Sequence, residues 1–232
     1  MRRTIVSAIV GTGIAMVVTI IPAQAALTLG DLITSPNNTI TVGDKIFGDF
    51  KFDTACPLSA SQIAVSTVQY NQWHYALVFT GPLMASDGMA CDFMLGYSVS
   101  VAPGYSQYPI KSISLSFVPT VLGTGGLIGI GESVYTGGFG IGGIAQASVG
   151  LTDFEDPPGE PAQMDVLNVT PPATKLWVLK DVYVQANQGV GNAVGATIIT
   201  QDFQEVPEPA QTATAVLLLT GLGTMLLKRK SR

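Results

Sequence analysis

Ser112-Ile113-Ser114-Leu115-Ser116-Phe117 is the stretch that decides the fold. Serine alternates with a large apolar residue at a period of two, the repeat of a β-strand rather than of a helix. Ile113, Leu115 and Phe117 are then expected to face a core while the serines face out. Outward from this run, Leu176, Val178, Lys180, Val182 and Val184 fall on one side of a second alternating stretch. Lys180 interrupts that apolar set, so this strand is expected near an edge or at a bulge. Other short alternating or apolar runs fall at 39–42, 45–53, 63–69, 75–80, 93–102, 126–135, 144–152 and 193–203. Gly, Pro, Asn and Asp punctuate them, and helical periodicity is nearly absent between Ala26 and Glu205. The pattern predicts an all-β fold, an antiparallel β-sandwich, with a partly open β-barrel as the alternative. Residues 153–173 are acidic and proline-rich and read as a surface loop.

Both ends differ from this middle. Arg2 and Arg3 precede an apolar stretch from Ile5 to Ile21, then Pro22-Ala23-Gln24-Ala25-Ala26. A charged start, an apolar centre and small residues at Ala23 and Ala25 describe a secretory signal peptide cleaved between Ala25 and Ala26. An uncleaved anchor is the alternative. At the other end an apolar run from about Ala213 to Leu227 is followed by Lys228-Arg229-Lys230-Ser231-Arg232. The run is at the short end for a membrane-spanning helix, and Lys228, Arg229, Lys230 and Arg232 form a basic stop on the cytoplasmic side. A plain tail anchor or a buried helix are the other readings.

Val206-Pro207-Glu208-Pro209 directly before that run completes a three-part pattern of motif, apolar segment and basic tail. The pattern resembles the PEP-CTERM sorting signal, which exosortases process in Gram-negative bacteria. The resemblance implies an exported protein that passes through the inner membrane, held transiently by its C-terminal helix, with an exosortase as partner. It further implies release to the cell surface or the extracellular matrix of a bacterium that makes exopolysaccharide. Val42-Gly43-Asp44-Lys45-Ile46-Phe47 and Lys180-Asp181-Val182-Tyr183-Val184 are similar to the opening and closing strands of such proteins. The chain then divides into a signal peptide (1–25), an exported β domain (26–205) and the sorting signal (206–232).

Trimming both ends changes the charge. The domain keeps Lys45, Lys51, Lys111, Lys175 and Lys180 and fifteen of the sixteen acids, all but Glu208, a net charge of about −10. Such a domain repels phosphate backbones, so a nucleic-acid partner is excluded. Cys56 and Cys91 are the only cysteines, and in an oxidising compartment they are expected to pair; two free buried thiols are the alternative.

Catalytic patterns are weak. The single histidine, His74, stands beside Trp73 and Tyr75 and could contact a sugar or act as a base. A packed strand residue is the plainer reading. Gly-x-Ser-x-Gly is absent, and one histidine with two paired cysteines cannot supply a zinc site. The glycines from Gly123 to Gly150 lack both nucleotide-binding fingerprints and read as hairpin turns. Asp153, Glu155, Asp156 and Glu160 could hold calcium but lack its helix–loop–helix spacing. Neither a metal nor another cofactor is expected. Tyr70, Trp73, Tyr75, Tyr97, Tyr105, Tyr108, Tyr135 and Trp177 are enough for a sugar-stacking platform, with scattered packing as the alternative. The expectation is a non-enzymatic surface or matrix protein linked to polysaccharide. A carbohydrate-binding module is the first alternative, and a cryptic hydrolase built on two carboxylates is the second.

Overall fold

A computed structural model describes residues 27–35, 38–123, 126–152 and 164–205. Its elements in chain order are β1 (Leu27–Thr28), α1 (Leu29–Thr34), β2 (Ile40–Val42), β3 (Lys45–Thr54), β4 (Ala64–Asn71), β5 (His74–Ser86) and β6 (Ala90–Val101). They continue with β7 (Ile110–Leu122), β8 (Gly126–Gly138), β9 (Ile141–Thr152), β10 (Met164–Ala173), β11 (Lys175–Ala186) and β12 (Ala193–Glu205). All ten expected strands are present. One sheet has the order β1-β4-β5-β12-β7-β10 and the other β2-β3-β6-β11-β8-β9, and each registered pair is antiparallel. The two sheets face each other as a β-sandwich.

The alternating residues fill the space between them. Ile113, Leu115 and Phe117 of β7 meet the inner face of the second sheet, where Leu176, Val178, Val182 and Val184 of β11 are fully buried. Each such side chain contributes about 1.5–3 kcal/mol on leaving water. Phe47 of β3 crosses to Phe203 of β12 with ring centroids 5.4 Å apart, and Tyr97 packs among Phe47, Phe50 and Phe79. Cys56 and Cys91 form a disulfide, Cα atoms 5.1 Å apart, that ties the exit of β3 to the start of β6.

Three expectations are corrected. Ser112 and Ser114 do face outward on β7 but are buried. Longer neighbours on β12 shield them, Ser112 donating to Gln204 and Ser114 to Asp202. The stretch 153–173 is not all loop, because Met164–Ala173 is β10, paired with β7. Pro171 and Pro172 survive there because β10 is an edge strand, and the register breaks between Asn168 and Ala173.

The third correction concerns Lys180. Its strand is neither an edge nor bulged there: β11 is paired in unbroken register with β6 and β8. Lys180 is fully buried, and its amine contacts Glu132 Oε2 on β8 and Gln201 Oε1 on β12, in the opposite sheet. The lysine occupies an apolar phase because its charge is partnered, the condition for burying it at all.

Among the described residues no helix is long and apolar enough to cross a membrane. The expected signal segment, the sorting motif with its span and basic tail, and the acids at 153–160 lie outside the described residues.

Candidate functional site

One end of the sandwich gathers the β2–β3, β4–β5 and β6–β7 connections and the last residue of β12. In the first connection Gly43 has φ +55°, a backbone that favours glycine. A Cβ there would lie 2.3 Å from the Tyr75 ring, so glycine is required twice over. The next carbonyl, of Asp44, accepts from Ala102 N at 2.7 Å and ties this turn to the β6–β7 loop. Within that loop Tyr105 N donates to Ala102 O (3.1 Å) and Tyr108 N to Tyr105 O (2.9 Å). These successive turns bring the two tyrosine rings to 6.5 Å. The β4–β5 connection is closed by Trp73 N donating to Asn71 Oδ1 at 2.8 Å, a side-chain turn that suits asparagine. The Trp73 carbonyl accepts from Glu205 N (3.2 Å), and its ring stands 5.1 Å from Tyr108.

The result is a cleft of about 420 Å³ lined by Gly43, Asp44, Gln72, Trp73, Tyr75, Tyr105, Tyr108 and Glu205. Tyr105 is half exposed at the rim, whereas Tyr75 is buried in the floor. The floor is charged. The buried Lys45 amine lies 2.8 Å from Asp44 Oδ1, contacts Glu205 Oε1, and sits 5.2 Å from the centroid of the Tyr75 ring. Burial pushes the Lys45 amine down, and the Asp44 carboxylate works against that shift. Tyr75 is pushed up to about 12, by burial first and then by the Asp44 charge. Its hydroxyl gives its hydrogen to the Gln72 carbonyl at 2.6 Å. The same hydroxyl also reaches the Asp44 side chain, but with its one hydrogen given to Gln72 it leaves Asp44 Oδ2 buried without a donor among the described residues. An acceptor held dry and unpaired costs free energy that a ligand hydroxyl would recover.

The other expected residues disperse. Tyr97 lies in the core, and Tyr135 and Trp177 are cross-strand neighbours on the second sheet, with the Lys175 amine 4.6 Å over the Trp177 ring. His74 opens β5, its Nε2 2.9 Å from Asp202 Oδ1 and its ring 4.5 Å from that of Tyr70. Ser114 bonds the other oxygen of Asp202. The carboxylate stands between serine and histidine, so the imidazole cannot take the hydroxyl proton and this is no catalytic triad. Gly138, Gly140 and Gly142 have positive φ at the β8–β9 hairpin, where glycine is needed for the turn. A shallow depression of about 280 Å³ on the second sheet holds Asp53, Asp92 and Asp181. Burial and then Asp92 push the Asp181 carboxyl up. Among the described residues no group of three His, Cys, Asp or Glu could hold a metal.

Sequence reasoning placed Trp73, Tyr75, Tyr105 and Tyr108 in a pool of aromatics but missed the floor. Asp44 and Lys45 read only as part of the opening hairpin, with Lys45 first in its strand, and Glu205 as the end of the β domain. One signal was available: Lys45 shares its strand phase with Phe47, so it had to be buried and partnered.

No protein-family model matches the chain, and no curated protein matches it. Among solved structures it is similar to TmCBM61, determined in complex with β-1,4-galactotriose, at 13% identity over 66% of this chain and 87% of that one, TM-score 0.29. It is also similar to the enzymatically active domain of bacteriophage CBA120 tailspike protein 4, at 14% identity over 68% of this chain and 19% of that one, TM-score 0.27. Likeness at this level carries no statement about what this chain binds.

Proposed function

We propose that this is an exported, non-enzymatic β-sandwich whose end cleft binds a neutral glycan. The observation that carries the reading is Asp44 Oδ2, a buried acceptor without a donor, in a cleft walled by Trp73, Tyr105 and Tyr108. A sugar ring offers what such a site lacks: C–H faces for the aromatic walls and hydroxyl donors for the floor. The domain's charge of about −10 argues for a neutral polymer over a uronate-rich one. Asp44 and Glu205 are two carboxylates in one cleft, as a hydrolase would need, but the Lys45 amine holds both, which favours binding over hydrolysis. The route through an exosortase, with a transient stay in the inner membrane, belongs to the same proposal. Its support is the motif itself, which starts at Val206 directly after β12 ends.

The test is calorimetric titration with short neutral hexose and pentose oligosaccharides. Saturable binding to at least one is expected, weakened about tenfold, or roughly 1.4 kcal/mol, by Trp73→Ala or Tyr105→Ala. Trp177→Ala, away from the cleft, should leave it unchanged. Absence of saturable binding across the panel, or equal loss in all three variants, would sink the reading.

A further inference from the structure

We propose that the Lys180 amine and the Gln201 side chain join inside the folded core as an intramolecular isopeptide bond, with Glu132 carrying the protons. The three groups come from three strands. Lys180 (β11) and Glu132 (β8) are cross-strand partners in one sheet, and Gln201 (β12) reaches across from the other. All three are buried, at 0%, 2% and 0% exposure. Gln201 Nε2 has two acceptors, Ser114 O at 3.0 Å and Glu132 Oε1 at 3.3 Å. Two acceptors identify that atom as the amide nitrogen and leave Oε1 facing the Lys180 amine, which it contacts. The amine therefore lies against the carbonyl whose carbon it must attack, and Glu132 touches both the attacking and the departing nitrogen.

The chemistry balances without a further reactant. The Lys180 ammonium passes a proton to Glu132 Oε2 and becomes a free amine. Burial already pushes this amine down, with the Glu132 charge opposing, so the neutral form is accessible. The Nζ lone pair attacks Gln201 Cδ, forming the Nζ–Cδ bond and a tetrahedral centre. Glu132 hands this first proton to Nε2, and the tetrahedral centre collapses as the Cδ–Nε2 bond breaks and ammonia leaves. Glu132, ionised again, takes a second proton from Nζ and passes it to the ammonia, which departs as ammonium and leaves Glu132 ionised. One ammonium side chain and one primary amide thus become one secondary amide and free ammonium, with nothing oxidised or reduced. Fixed juxtaposition replaces the concentration that an amine–amide reaction in water lacks, and burial keeps water from competing as nucleophile.

Lys45, the other buried lysine, is placed differently. Its partners Asp44 and Glu205 are carboxylates with no amide nitrogen to expel, and both of them line the open cleft. The bond at Lys180 would close a 21-residue separation and staple the two sheets through the middle of the core. That would suit a domain working outside the cell.

The experiment is the intact mass of the purified full chain with its disulfide reduced, followed by proteolysis and fragment sequencing. The expected result is a deficit of one ammonia, with the Lys180 and Gln201 peptides recovered joined. The Glu132→Gln variant keeps the side-chain shape without the carboxylate and is expected at full mass with both peptides free. Full mass and free peptides in the unaltered protein would overturn the proposal, whether or not any variant folds. A deficit of one water with Lys45 joined to Glu205 would overturn the assignment to Lys180. A joined pair persisting in Glu132→Gln would overturn the role given to Glu132.

Discussion

Replacing Cys56 and Cys91 together by alanine removes one covalent tie between the exit of β3 and the start of β6. The folded state loses little there. Thr54 still faces Phe93 in the ladder, and Ala55 N still donates to Asp92 O at 2.9 Å. The effect falls on the unfolded chain, which regains the freedom of a loop with a sequence separation of 35. At that length the loop-entropy relation gives about 4 kcal/mol at 25 °C, a large share of the ~5–15 kcal/mol that holds an ordinary domain together. With a urea slope of about 2 kcal/mol/M, the unfolding midpoint should fall by about 2 M. The slope itself should rise, because the released chain exposes more surface when unfolded. Urea unfolding followed by tryptophan fluorescence on oxidised protein and on the double variant measures both quantities. A loss below about 1 kcal/mol with an unchanged slope would refute the reasoning, by showing that the unfolded chain is already confined without the bond.

Gly43→Ala should cost about 1–3 kcal/mol and weaken oligosaccharide binding, because the new Cβ meets both a positive φ and the Tyr75 ring. Gly191→Ala, with φ +87° but open space around it, should carry the backbone cost alone and bind normally; thermal melts and calorimetry separate the two. Tyr75 should titrate late. With its folded value raised to about 12, above the ordinary 10.0, it contributes stability that is complete below pH 10 and lost as the pH rises towards 12. Spectrophotometric titration should show a phenolate step near 12 that disappears in Tyr75→Phe, and a step unchanged by the substitution would contradict the buried position beside Asp44.

Residues that obey a local period were legible. The alternation of Ile113, Leu115 and Phe117, and of Leu176 through Val184, marks strands whatever surrounds them, and the turn glycines mark where strands end. Met164–Ala173 escaped because Pro171 and Pro172 argue against a strand in isolation. Only its position at a sheet edge makes them tolerable. The alternation gives Ser112 and Ser114 their outward face but not their burial, because sequence does not show that Gln204 and Asp202 lie over them.

By itself, then, the sequence determined the all-β class, the pairing of its only two cysteines and the strongly acidic domain, since each follows from residue type and near-neighbour spacing. The partners of the two buried lysines were decided only by tertiary structure. Gln201 and Glu205 sit on the inner face of β12 and meet Lys180 and Lys45 across the sandwich, from 21 to 160 positions away. A charge in an apolar phase looks like an interruption until the opposing sheet supplies what neutralises it. The cleft has the same origin. Asp44, Trp73 and the Tyr105–Tyr108 pair come from three connections and Glu205 from the end of β12, which converge because antiparallel strands return their ends to the same edge of the fold.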